Sequence, residues 1–99
     1  MEEHMGEERR LTPSDTVEMA PSFHFRWEEP QKAHVLLYPE GIVKLNETAA
    51  AILETCTGNT TIAQGTAELQ DRYGKPDVGA SVLEFLELAH AKGWIRVKS

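Results

Sequence analysis

The spacing of apolar residues in this chain changes once, at Asn46, and that change constrains the fold more than any other feature. Before it, apolar residues recur at every second position or in short unbroken runs; after it, they recur at steps of three and four. Strands are therefore expected first and helices second. Segregation of the two element types along one short chain predicts an α+β domain.

The strand half reads in three pieces. Phe23-His24-Phe25-Arg26-Trp27-Glu28 alternates aromatic with polar side chains, which places Phe23, Phe25 and Trp27 on one face of a half-buried strand. Pro30, Gln31 and Lys32 break it. His34-Val35-Leu36-Leu37-Tyr38 is apolar on both faces and is expected to be the central strand. Pro39-Glu40-Gly41 reads as a three-residue hairpin loop in which Gly41 is free to take a positive φ. The third strand is Ile42-Val43-Lys44-Leu45. Two hairpins in series predict a three-stranded antiparallel sheet with the short third strand at an edge.

The helical half begins with Asn46 as an N-cap, followed by Ala49, Ile52, Leu53 and Cys56 on one stripe and Gly58 as a stop. Thr61 with Gln64 forms a capping box for a second helix, with an inner face of Ile62, Thr66 or Gly65, Leu69 and Tyr73, closed by Gly74. Gly65 should weaken that helix by about 1 kcal/mol relative to Ala. After Pro76, Asp77 is the expected cap of a third helix reaching about Lys92, and Trp94-Ile95-Arg96-Val97 packs back beyond Gly93 as a short extended tail. The sheet is thus followed by a three-helix bundle.

With 99 residues the chain has room for a single core. Residues 1–20, rich in acids and poor in apolar side chains, are expected to be a disordered N-terminal tail, leaving 21–99 as the folded domain. The net charge of −6 is uneven: residues 1–20 carry six acids and two bases, the rest ten acids and eight bases. The folded part has no basic patch or stripe, which argues against nucleic acid and against an anionic membrane surface. No apolar run approaches the ~18 residues of a membrane span, and the acidic start lacks the features of a signal peptide. With Cys56 as the only cysteine, these features predict a cytoplasmic protein.

Catalysis and cofactors find little support. His4, His24, His34 and His90 are scattered, with no ligand spacing between them and no cysteine partner, so no metal site is expected. There is no phosphate-cradling Gly loop, nucleophile elbow or Cys triplet. Cys56 lies on the apolar stripe of its helix and reads as a structural thiol, and Glu28 with Glu29 reads as a solvated pair. No residue is assigned a catalytic, cofactor-binding or metal-binding role, and the chain is expected to be a binding protein and not an enzyme.

The third helix suggests what is bound. Val78, Val82, Phe85, Leu86 and Ala89 make a core stripe of ordinary width, but Leu83 lies about 60° beyond Leu86, on a flank shared with Gly79 and His90. On one reading Leu83 covers the sheet edge. On the other, Gly79, Leu83, Leu86 and His90 wall a groove whose second wall is the unpaired edge of Ile42, Val43, Lys44 and Leu45. A peptide can add to such an edge as a further strand. Lys44 is the only evident guard of that edge.

The run Val35-Leu36-Leu37-Tyr38-Pro39-Glu40-Gly41-Ile42-Val43-Lys44-Leu45-Asn46, with Ala50-Ala51-Ile52-Leu53, Gly58, Val82-Leu83-Glu84-Phe85-Leu86 and Gly93-Trp94-Ile95, resembles the pyrroloquinoline quinone biosynthesis protein D (PqqD) family. The resemblance covers about residues 22–97 and is most specific from Leu36 to Asn46. Thr57 and Ser81 stand where the family pattern has Asp, and Gly65 where it has a bulky aliphatic residue. What the resemblance implies is a winged-helix-like RiPP recognition element: a peptide chaperone that binds the ribosomally made precursor peptide PqqA and presents it to the radical SAM enzyme PqqE. It also implies that the peptide lies between the third strand and the third helix. Trp94 and His90 are candidates for the enzyme contact, while Trp94 reads first as a core plug near the C-terminus. A leader-peptide recognition protein of another ribosomal peptide pathway would use the same groove physics. A winged-helix DNA-binding regulator is the remaining alternative, against which stands the net negative charge of residues 61–74 and 77–92.

Overall fold

A computed structural model describes residues 10–75 and 77–98. The elements are β1 (Val17–Met19), β2 (His24–Glu28), β3 (Ala33–Tyr38), β4 (Gly41–Lys44), α1 (Glu47–Cys56), α2 (Ile62–Tyr73), α3 (Val78–Ala91) and β5 (Ile95–Val97). The expected α+β order holds: a three-stranded antiparallel sheet, β2-β3-β4, precedes three helices.

The sheet register sorts its side chains into two faces. Phe25, Leu36 and Val43 are cross-strand partners, as are His24, Leu37 and Ile42. The first set, with Leu45 and Phe23, packs against the core made by the helices. The second set belongs to the opposite face, where His24, Ile42 and Lys44 are exposed. The β3–β4 hairpin is tighter than expected. Gly41 pairs with Tyr38, which leaves a loop of Pro39 and Glu40 alone, and Gly41 is a strand residue whose φ is not positive. In the β2–β3 turn Lys32 takes the positive φ, at 53°.

The helix caps follow local chemistry. Asn46 accepts a hydrogen bond from the Ala49 amide at 2.8 Å, and Thr61 and Gln64 cap each other at 2.9 and 3.1 Å. Asp77 departs from expectation, making no side-chain cap bond to α3. The expected inner face of α1, namely Ala49, Ile52, Leu53 and Cys56, is buried. In α2, Ile62, Gly65 and Leu69 are buried, whereas Tyr73 is exposed. Gly65 is where α2 crosses the end of α1: a Cβ there would sit 2.6 Å from Cys56 Sγ. The helix accepts the cost of Gly because only Gly allows this approach.

The expectation of a disordered tail over 1–20 is corrected for its described part; residues 1–9 lie outside the described residues. Residues 11–19 form an arm that is part of the domain. Leu11 and Val17 are buried in the main core, and β1 pairs antiparallel with β5, so the extended C-terminal segment belongs to a second, two-stranded sheet. The arm also serves the start of α2, whose Ile62 and Ala63 amides donate to the carbonyls of Asp15 and Pro13 at 2.9 and 2.8 Å. Amides in the first turn of a helix have no partner within the helix, and here the arm provides one. Arg96 Nε donates to Glu18 across the two-stranded sheet at 2.7 Å.

Candidate functional site

The feature with the clearest binding chemistry is the outer edge of β4. In the order β2-β3-β4, that edge meets no other strand among the described residues. Which of its groups are free follows from the register. The Leu45 amide donates to the His34 carbonyl at 3.0 Å. Antiparallel pairs alternate between hydrogen-bonded and non-hydrogen-bonded, so Leu45, Val43 and Gly41 point their amides and carbonyls at β3. Ile42 and Lys44 therefore point theirs outward. Ile42 is 46% exposed, Val43 is half-buried on the core face, and Leu45 is buried just past the strand.

The residues proposed from sequence on α3 are placed elsewhere. Gly79 and Leu83 face α2 and the N-terminal arm. A Cβ on Gly79 would lie 3.3 Å from Gln70 Nε2, and Leu83 lines a hollow of about 310 Å³ together with Pro13, Ile62 and Thr66. Leu86 is 0% exposed and belongs to the core. His90 lines a different hollow, of about 580 Å³, with Arg10 and Arg96. The widened apolar flank is real, but α2 and the arm line it, and the structure does not bring it to the β4 edge.

The flank of α3 about 140 to 160° round the helix from Leu83 carries Ser81, Phe85 and Leu88. By its spacing Phe85 falls on the core stripe, and Ser81 and Leu88 fall outside the groove read from the sequence. Phe85 is half-buried with its ring 6.5 Å from Trp94, and Leu88 is 48% exposed. Near the start of the same helix, Val78 and Ser81 face Thr48 and Ile52 of α1 across a cavity of about 340 Å³, which also receives Tyr73. Thr48 is four residues beyond Lys44, so this cavity opens close to where β4 ends. An exposed Leu on an otherwise amphipathic helix was the one signal in the sequence that could have identified this flank.

Reactive chemistry is sparse. Cys56 is fully buried, and burial, followed by the negative charge of Glu68, pushes its thiol up to about 11. A neutral, enclosed thiol is neither a nucleophile nor a metal ligand. Glu29 is held below the usual carboxylate range by Lys32 and by the Trp27 indole, which donates to it at 2.9 Å, and this contact fixes the β2–β3 turn. Among the described residues no group of His, Cys, Asp and Glu is arranged to hold a metal ion, and no helix is long and apolar enough to cross a membrane.

Residues 33–95 match the family model described as coenzyme PQQ synthesis protein D (PqqD). Among curated relatives, a PqqA binding protein of Azotobacter vinelandii is 46% identical over 87 residues, covering 87% of this chain and 95% of the relative. A PqqA binding protein of Methylococcus capsulatus is 43% identical, covering 87% and 92%. The fold is similar to the solution NMR structure of the PqqD truncation of Methylobacterium extorquens PqqCD, described as a functional, stand-alone RiPP recognition element. The two share 26% identity with a TM-score of 0.74, over 91% of this chain and 98% of that one.

Proposed function

Because this chain belongs to the PqqD family, we propose that it is a cytoplasmic, non-catalytic escort that binds the precursor peptide PqqA and presents it to the radical SAM enzyme PqqE. The observation that carries this reading is the open β4 edge. It lies within the segment matched by the family model, and relatives spanning nearly the whole domain bear the name PqqA binding protein.

The peptide adds along β4 as a fourth strand, hydrogen-bonded to the outward amides and carbonyls of Ile42 and Lys44. Its side chains on the core-facing side meet Val43 and the Ser81, Phe85 and Leu88 flank of α3. Four main-chain bonds at about 1 kcal/mol each, with two or three apolar anchors at about 1.5 to 3 kcal/mol each, are opposed by about 2 to 5 kcal/mol for ordering the peptide. Binding of micromolar order follows, within a few decades. That is strong enough to load the escort and weak enough to release the peptide to an enzyme. The chemistry on the peptide belongs to PqqE.

The test is an NMR titration with synthetic PqqA. The largest amide shifts are expected at Ile42 and Lys44 and at Ser81, Phe85 and Leu88. Shifts confined to β2, or to the hollow around Leu83, would refute this placement of the peptide.

A further inference from the structure

An escort needs a second surface, for its enzyme, that the peptide leaves uncovered. We infer that the outer face of the β2-β3-β4 sheet is that surface, and that it docks an acidic, partly apolar patch on the modifying enzyme. This rests on the escort reading above.

By register, this face carries His24, Arg26 and Glu28 from β2, Ala33, Val35 and Leu37 from β3, and Ile42 and Lys44 from β4. A sheet face that looks into water is normally polar along its length. Here the middle is apolar: Ile42 is exposed, Leu37 is half-buried, and Val35 is 0% exposed although it is not part of the main core. The cross-strand partners of Val35 are Arg26 and Lys44, whose methylene stems can lie over it while their charges stay in water. At one end His24, Leu37 and Pro39 border a hollow of about 310 Å³.

Charge indicates the kind of partner. The chain as a whole is −6, yet the strand residues of this face set Arg26 and Lys44 against Glu28 alone. Among the described residues Arg26 and Lys44 make no salt bridge. A partly apolar centre rimmed by Arg26 and Lys44 complements an apolar centre rimmed by carboxylates, and like charge disfavours any partner surface that is basic. The location also suits presentation. β4 contributes Ile42 and Lys44 to this face while its edge holds the peptide, so a protein seated here stands beside the bound substrate and raises the local concentration of enzyme against it.

Arg26 and His24 lie on β2, separated from the peptide edge by β3 and β4, and both are exposed. The experiment measures the binding of purified PqqE and of PqqA separately, to the full chain and to its Arg26→Glu and His24→Glu/Arg26→Glu variants, with Arg26→Lys as the charge-preserving control. Expected are an enzyme affinity reduced about tenfold or more in the Glu variants and retained in Arg26→Lys, falling with added salt in the wild type, with peptide affinity unchanged. Unchanged enzyme affinity in the double variant overturns the docking proposal while leaving the escort reading intact. Loss of self-association instead of enzyme affinity assigns the face to a second copy of this chain and also overturns it. Failure of the wild type to bind PqqA at all would remove the escort reading itself, and is seen separately.

Discussion

Lys44→Pro probes the edge most directly. The Lys44 amide points away from β3, because Leu45 and Val43 occupy the hydrogen-bonded positions of that ladder. Proline removes this donor and nothing from the existing sheet, and edge strands tolerate proline where the missing amide faces solvent. Stability should therefore change little. A visiting peptide strand would lose one of about four main-chain bonds and leave one of its own carbonyls without a partner, a cost of about 1 to 3 kcal/mol. In dissociation constant that is a weakening of about 5- to 150-fold. Val43→Pro is the contrasting variant: the Val43 amide is committed to Leu36, so proline there breaks the sheet and costs about 3 kcal/mol or more of stability. Calorimetric titration with PqqA, alongside thermal melts and a Lys44→Ala control for the lost charge, separates these effects. A folded Lys44→Pro protein that binds PqqA as well as Lys44→Ala does would refute strand addition at this edge.

Leu83→Asp should lower the melting temperature markedly, because its side chain packs at the seam of α3, α2 and the arm; a stable variant with impaired peptide binding would restore the groove first read from the sequence. Leu88→Asp, at an exposed position, should leave stability within about 0.5 kcal/mol and weaken peptide binding by about 1 to 2 kcal/mol in calorimetry. Gly65→Ala should destabilise by about 1 to 3 kcal/mol despite the better helix propensity of Ala, and in denaturant melts the loss should shrink in a Cys56→Ala background, since the clash is with Cys56 Sγ. The Cys56 thiol, raised from 9.0 to about 11, stays neutral in the fold after the unfolded chain has ionised. Melting temperature should therefore fall between about pH 9 and 11 more steeply in the wild type than in Cys56→Ala.

Elements governed by near neighbours in sequence were legible. The strand at Phe23–Glu28, the Asn46 cap and the reciprocal Thr61 and Gln64 cap depend on residues within a turn of one another, and the structure has each of them. The alternation of burial in that strand stops at Trp27, which is 48% exposed and not half-buried like Phe23 and Phe25. The edge position of the third strand, which follows from two hairpins in series, was legible too. What composition concealed was the arm. Residues 11–19 are held by two apolar anchors and by backbone hydrogen bonds to α2 and β5, and a backbone bond leaves no mark on residue identity. The arm then decided the fate of the α3 flank. A helical wheel shows that Leu83 is apolar and off the core stripe, but whether a groove, a neighbouring helix or the chain's own N-terminus lies against it depends on packing between segments some 70 residues apart, from Pro13 to Leu83. The same holds for Gly65, which reads as a weak helix position until α1 and α2 are brought close enough for a Cβ to strike Cys56. Periodicity and capping act within a few residues and so are written in the local sequence, whereas the partner of an apolar face is settled only when distant segments compete to cover it.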